Sequence, residues 1–331
     1  MRQQPAVLAA LGARRAELGA QIRAVAPDPL HGVLLIARGS SDNAAVYGRY
    51  VLELATGRPV ALAAPSLHTL YDVRADYHGY LAVAVSQSGA TPEIVTVLER
   101  ATAAGARGIA VTNDESSPLA QAAHAVLPLG AGDERAVPAT KTFTAQLAAF
   151  AVIAEALGPV GWSGADWDAV PDTVQSVLDD RPAGEAAAAV VGDAAGIIAV
   201  GRGFLYGTAL EAALKLKETT SILAEGYSAA DLRHGPIAIV ERDFPVLAFV
   251  AEGPAAADMH ALCAQLRDRG AHVLRVASHP DAELPLPAGL AEPLLPLPAT
   301  VRAQQVALAL ALQRGPDPDV PAGLTKVTPT T

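Results

Sequence analysis

The sequence predicts an α/β protein built from two doubly wound, flavodoxin-like domains, each with a parallel five-stranded sheet, related by internal duplication. Three observations carry this reading. Short, wholly apolar runs alternate with helical patterns of ~10–15 residues, the signature of parallel strands joined by crossover helices that cover both sheet faces. The runs recur in the same order at a nearly constant spacing. The chain has 331 residues, 51% of them hydrophobic and 18% charged, enough for two compact domains of ordinary size.

The repeat is explicit. A shift of 164 residues carries Gly32-Val-Leu-Leu-Ile-Ala-Arg38-Gly39 onto Gly196-Ile-Ile-Ala-Val-Gly-Arg202-Gly203. The same shift carries Tyr80–Val85 onto Phe244–Phe249 and Gly89 onto Gly253. A shift of 165 brings Gly105-Ala106 onto Gly270-Ala271, with Ile109–Thr112 falling on the run that starts at Val273. A shift of 168 pairs Val126–Leu129 with Leu294–Leu297, predicted as the last strand of each copy. Shared Arg-Gly and Gly-Ala punctuation argues for duplication over chance alignment of apolar runs.

In chain order, residues 1–28 read as an amphipathic helix with Val7, Leu8, Leu11, Leu18 and Ile22 on its apolar side, ended by Pro27 and Pro29. The first domain is expected over 29–160, a polar linker over 161–187, the second domain over 188–314, and a Pro-rich, non-helical tail over 315–331.

Within the second domain, an apolar run ending at Val200 breaks into Gly201-Arg202-Gly203, and a helix is predicted from about Gly207 to Thr220. Ala209, Ala212, Ala213, Leu216 and Thr220 share one side, whereas Glu211, Lys215 and Glu218 line the other. That charged stripe is either a solvated helix face or chemistry. Arg233-His234-Gly235-Pro236, a short way downstream, adds an imidazole titrating near neutrality in a turn. Of 24 basic side chains only four are Lys (Lys141, Lys215, Lys217, Lys326). An ammonium can lose its proton or form an imine where a guanidinium cannot, so Lys215 and Lys326 are candidates for chemistry.

In sheets of this kind ligands bind beyond the C-terminal ends of the strands. There the first copy reads Ser86-Gln87-Ser88-Gly89-Ala90-Thr91-Pro92-Glu93. Thr91 suits a helix N-cap and Pro92 the first helical position, so hydroxyls, an amide and a helix N-terminus converge on a site for phosphate. No Lys lies in the loop, unlike a nucleotide-binding P-loop. Gly39-Ser40-Ser41 repeats the signal more weakly. The second copy has Val250-Ala251-Glu252 instead, so one phosphate site per chain is expected, with reactive groups supplied by the second domain.

These residues resemble the tandem sugar-isomerase (SIS) domain family from Gly32 to Lys326. The most specific segments are Ser86-Gln-Ser-Gly-x-Thr91, Ala139-Thr-Lys-Thr-Phe-Thr144, Ala209-Leu-Glu-x-Ala-Leu-Lys-Leu-Lys-Glu218 and Arg233-His-Gly-Pro236. The resemblance implies that Ser41, Ser86, Gln87, Ser88 and Thr91 hold a sugar 6-phosphate, with Ser40, Val137 and Glu211 also on the substrate. It implies that Glu218 moves a proton between C1 and C2, that Lys215 supports the O1 end, and that His234 opens the sugar ring from the neighbouring subunit of a homodimer with shared active sites. Lys326 resembles the lysine of the family's closing segment. Lys141 matches a motif without an assigned step.

The expected activity is an aminosugar-6-phosphate deaminase/isomerase, because the synthases of this family carry a glutaminase domain that the sequence ahead of Gly32 lacks. A fructosamine-type phosphate deglycase, a plain aldose–ketose isomerase and a sugar-phosphate-binding regulator are the alternatives. No cofactor is expected, and no metal, since no His, Cys or Asp cluster has ligand spacing. The net charge of −10 and 4% aromatic content argue against nucleic acid. One cysteine, no signal peptide and no long apolar span point to the cytoplasm and away from a membrane.

Overall fold

The computed structural model describes residues 1–326 of the chain. Residues Val327–Thr331 of the predicted tail lie outside the described residues. The chain resolves into two compact units. One comprises 6–134 with 141–160; the other comprises 161–324 with 1–5 and 135–140.

The N-terminal segment is two helices, α1 (Gln4–Ala13) and α2 (Arg15–Val25), where the sequence predicted one. The helical path breaks at Arg14. The first unit then alternates β1 (Gly32–Ile36), α3 (Ser40–Thr56), β2 (Val60–Leu62), α4 (Pro65–Thr69), β3 (Tyr80–Val85), α5 (Pro92–Ala103), β4 (Arg107–Thr112), α6 (Pro118–Ala122), β5 (Ala125–Pro128) and α7 (Lys141–Leu157). Its five strands are parallel in the order β2-β1-β3-β4-β5. Leu34, Ile36, Ala82 and Ala84 pack with Ile94, Val97, Leu98 and Ala101 of α5, all buried. Helices α2 and α3 pack on α7.

The stretch 161–187, predicted as a linker, carries helices α8 (Gly164–Asp179) and α9 (Arg181–Val191). Ser163 and Asp166 close a capping box at the start of α8, and Trp167, Val170, Val174 and Val177 are buried on one side of it. The Asp, Gly and Pro residues between these anchors hide the helical period in the sequence.

The second unit continues with β6 (Gly196–Gly201), α10 (Tyr206–Thr220), β7 (Leu223–Ser228), α11 (Ala229–Arg233), β8 (Pro245–Phe249), α12 (Ala256–Asp268), β9 (His272–Ala277), β10 (Leu284–Pro285) and α13 (Pro296–Arg314). All strands are parallel, in the order β10-β9-β8-β6-β7. Read from the other edge, this is the order of the first sheet, as duplication requires. Ile198, Val200, Val246 and Ala248 form a core with Met259, Leu262, Cys263 and Leu266 of α12. Helix α13 packs against α8, α9 and α10.

The fourth strand match is overturned. Leu294–Leu297 is no strand: Glu292–Leu294 is a 3₁₀ turn and α13 starts at Pro296. Pro296 lacks the N–H a sheet ladder needs but suits the first turn of a helix. The edge strand is Leu284–Pro285 instead, Leu284 lying opposite Val276 as Leu127 lies opposite Val111 in the first sheet.

Candidate functional site

In the first unit, β1 and β3 are hydrogen-bonded neighbours at the point where strand order reverses, where doubly wound sheets bind ligands. The loop leaving β1 runs into Ser40 and Ser41, and the loop leaving β3 carries Ser86, Gln87, Ser88 and Thr91, so these predicted residues follow two neighbouring strand ends. Ser86 continues the ladder by donating its N–H to the Val111 carbonyl at 3.1 Å. Its hydroxyl accepts the Gly89 N–H at 3.2 Å and lies 3.4 Å from Thr91 Oγ1. Ser88 Oγ accepts the Ala90 N–H at 3.2 Å. The Gln87 carbonyl receives the Asn113 N–H at 3.1 Å. These bonds curl the loop around Gly89, whose φ of +61° and 2.1 Å clearance from a would-be Cβ to Ser117 Oγ admit only glycine. Thr91 is the N-cap residue of α5 and Pro92 its first residue, yet the Thr91 side chain caps no N–H. The opening turn of α5 thus faces the loop uncapped by that hydroxyl, which suits an anion.

Three residues that sequence reasoning missed support this loop. Arg38, directly after the first strand, donates Nε and Nη2 to the two carboxylate oxygens of Glu93 at 2.9 Å each. Glu93 lies in the first turn of α5 and is 4% exposed. Its hydrogen bond to Arg38 raises the guanidinium above its ordinary value, outweighing the opposing effect of burial. Gln146 of α7, buried, donates Nε2 to Ser41 Oγ at 2.9 Å, while its Oε1 has no partner among the described residues. The Arg38 signal was present in the repeated Arg-Gly after each first strand; Gln146 had none beyond its place two residues after the Ala139–Thr144 run.

Lys141, without a role from sequence, is buried and donates Nζ to the Asp133 carbonyl at 2.7 Å. Beside it Glu134 accepts the Thr142 N–H at 2.9 Å and the Thr142 hydroxyl at 2.8 Å. These bonds pin the loop ahead of α7. Lys326 is half-buried.

The duplicated loop in the second unit lacks the anion-binding character. Val250 donates its N–H to the Val276 carbonyl at 3.0 Å as Ser86 does to Val111, but brings no hydroxyl. Gly253 again has positive φ, and a Cβ there would meet the Glu292 carboxylate at 2.2 Å, where the first copy offers the Ser117 hydroxyl. Burial raises the Glu292 carboxyl above the usual carboxylate range. A carboxylate against this loop repels phosphate.

The second unit instead gathers charge on α10. Glu211, Lys215 and Glu218 come together, but on a buried face: their side chains are 1%, 3% and 21% exposed. The solvated-stripe alternative is therefore overturned. Lys215 Nζ lies 3.5 Å from Glu211 Oε1 and bonds directly to Glu218 Oε2. Burial alone would lower the Lys215 ammonium; the two carboxylates outweigh it and hold it above its ordinary value. Lys215 is thus a fixed cation, not the deprotonated amine an imine requires. Glu211 is sealed against Lys215 as its counter-ion, which leaves Glu218 as the member of the cluster with an exposed edge. Val137 is half-buried and donates its N–H to the Asp319 carbonyl at 2.9 Å.

From α10 the chain passes through the edge strand β7 into α11, capped by Ser228, whose hydroxyl accepts the Asp231 N–H at 3.2 Å. His234 follows α11 directly and is exposed.

The SIS domain profile matches residues 31–156 and 193–288. The chain is 33% identical over 302 residues to the glutamine–fructose-6-phosphate aminotransferase (isomerizing) of Methanothermobacter thermautotrophicus, covering 89% of this chain and 51% of that protein. It spans about half the length of the curated relatives it matches. A solved protein of Silicibacter pomeroyi, provisionally named a phosphosugar isomerase, is 32% identical with a TM-score of 0.81, covering 96% of this chain and 97% of that one. The glucosamine-6-phosphate deaminase of Thermotoga maritima, at 24% identity and a TM-score of 0.75, shares the fold over 98% of this chain and 99% of that one. Two matched segments, one in each duplicated sheet, leave no ambiguity: the chain belongs to the SIS domain family.

Proposed function

We propose that this chain is an aminosugar-6-phosphate deaminase/isomerase acting on glucosamine 6-phosphate or a close relative. The observation that carries the reading is the buried Glu211–Lys215–Glu218 cluster, in which a fixed ammonium holds one partly exposed carboxylate in place. A carboxylate so held is suited to carrying a proton between adjacent carbons. The hydroxyl-rich loop before α5 supports a phosphorylated substrate.

In this reading His234 assists ring opening, giving an aldehyde at C1 with the amine on C2. Glu218 removes the C2 proton and returns it to C1 while a proton passes from the amine nitrogen to O1, producing a ketimine. Water adds to the C=N bond and ammonia leaves, so the products are ketose 6-phosphate and ammonia. Glu218 ends each cycle in its starting state, and no external oxidant or reductant is needed. Lys215 keeps the carboxylate oriented and stabilises negative charge beside the developing enolamine. Ser41, Ser86, Gln87, Ser88 and Thr91 hold the phosphate, and Lys326 covers the sugar. The reading includes a cytoplasmic homodimer in which each His234 serves its partner. No helix among the described residues is long and apolar enough to cross a membrane.

Plain aldose–ketose isomerisation is the second reading, favoured by the likeness to the Silicibacter pomeroyi protein, and uses the same proton shift without hydrolysis. A panel of amino-, glycated-amino and neutral sugar 6-phosphates separates the two, with ammonia and ketose 6-phosphate both measured. Ammonia release from glucosamine 6-phosphate is the expected result. Ketose formation from neutral sugars alone would refute deamination.

A further inference from the structure

The duplicated arginine after the first strand of each copy meets a carboxylate in both units, and in the second unit that carboxylate also binds Arg233. Arg202 Nη1 donates to Asp258 Oδ2 at 2.5 Å. Arg233 Nη1 donates to Asp258 Oδ1 at 2.8 Å, and its Nη2 to the Asp258 carbonyl at 2.8 Å. In the first unit the equivalent pair is Arg38 with Glu93. Glu93 and Asp258 each lie in the first turn of the helix that follows the third strand of their copy. Duplication therefore supplied an arginine–carboxylate pair twice, and the second also holds the residue before His234.

That extension falls on a weak element. Helix α11 has five residues, too few to be stable by itself. After it come His234 and then Gly235, whose φ of +141° is a conformation other residues rarely adopt. The His234 side chain is exposed and forms no hydrogen bond or ion pair among the described residues. Where the imidazole stands is therefore decided by the backbone beneath it. Arg233 fixes that backbone from one side, back to the Ala229 carbonyl at 3.4 Å, and from the other, to Asp258.

We propose that Asp258 is a positioning residue: by binding Arg202 and Arg233 together it locks the Arg233-His234 turn and sets the place of the imidazole. The inference rests on the ring-opening role of His234 in the proposed function. Arg202, Arg233 and Asp258 side chains are 43%, 27% and 34% exposed, and ion pairs at such exposure add little to stability. The value of the clamp is in geometry, and this separates positioning from a merely structural role.

The test uses the full chain and glucosamine 6-phosphate, or the panel member that proves the best substrate. Asp258→Asn keeps shape and removes the charge. The expected result is an unfolding temperature near that of the wild type, kcat lowered about ten-fold or more, KM little changed, and faster amide exchange across 229–235. Arg233→Gln should reproduce it. The Asp258→Asn/His234→Ala double variant should be no slower than His234→Ala alone, since a misplaced imidazole and a missing one are the same loss. Full turnover of Asp258→Asn beside an impaired His234→Ala overturns the positioning role and leaves the functional reading standing. Losses that multiply in the double variant overturn it as well. Full turnover of His234→Ala takes down the ring-opening reading itself, and the inference with it.

Discussion

Lys215 Nζ lies 3.5 Å from Glu211 Oε1, with the two side chains only 3% and 1% exposed. A buried cation and anion at this distance depend on each other, because either alone would keep its desolvation cost without the compensating attraction. Lys215→Met should therefore destabilise the protein by about 3–5 kcal/mol, whereas the joint Glu211→Gln/Lys215→Met change should recover most of that loss. Urea titrations of the two variants measure it; equal losses would mean the pair is not coupled. The pH dependence has a definite sign. The ammonium is held above its ordinary 10.5 in the folded chain, so its contribution is complete below that pH and is lost only as pH climbs through the higher folded value. The stability gap between wild type and the double variant should stay constant from about pH 6 to 9.

Glu218→Gln preserves the shape of the exposed member of the cluster and removes its capacity to take a proton. Turnover should fall by about 10² or more, with sugar-phosphate affinity nearly unchanged. Steady-state kinetics beside equilibrium binding check this. Near-normal turnover would show that the proton travels through another group.

Ser86→Ala combined with Ser88→Ala should weaken binding of any 6-phosphorylated sugar, each lost charge-assisted bond costing about 1.5–3 kcal/mol. The corresponding changes in the duplicated loop, at Val250 or Glu252, should leave phosphate affinity where it was. Calorimetric titration with a substrate analogue distinguishes the loops. Comparable losses from both would contradict a single phosphate site per chain.

Mixing an inactive His234→Ala chain with an inactive Glu218→Gln chain tests whether active sites are shared between subunits. In a heterodimer with shared sites, one site carries both lesions and the other none. Random exchange makes about half of all dimers heterodimeric, so activity should approach roughly a quarter of normal. If each His234 serves its own chain, every site retains one lesion and activity stays at the floor of the single variants.

Much of this was legible from the sequence, and for a physical reason. Strands buried on both faces must be apolar throughout, so Val33–Ile36, Leu81–Val85 and Ile197–Val200 announced themselves, and their repeated order announced the duplication. The Ser86–Thr91 loop was equally plain, because a proline directly after a threonine favours the first helical position and so marks where α5 begins, even though the Thr91 hydroxyl caps no N–H. The edge strand Leu284–Pro285 was missed because two residues carry no period, while Leu294–Leu297 imitated a strand that Pro296 turns into a helix start. What the tertiary structure alone decided is which charges are buried and with whom. Glu211, Lys215 and Glu218 occupy one helix face in either reading, and whether that face meets water depends on the elements packed over it. The partners Arg38–Glu93, Gln146–Ser41 and Arg233–Asp258 lie 55, 105 and 25 residues apart. Spacing fixes neighbours only within a helix turn or a strand pair; contacts at these separations exist because the sheet sets its crossover helices and strand ends side by side, as where α3 packs on α7.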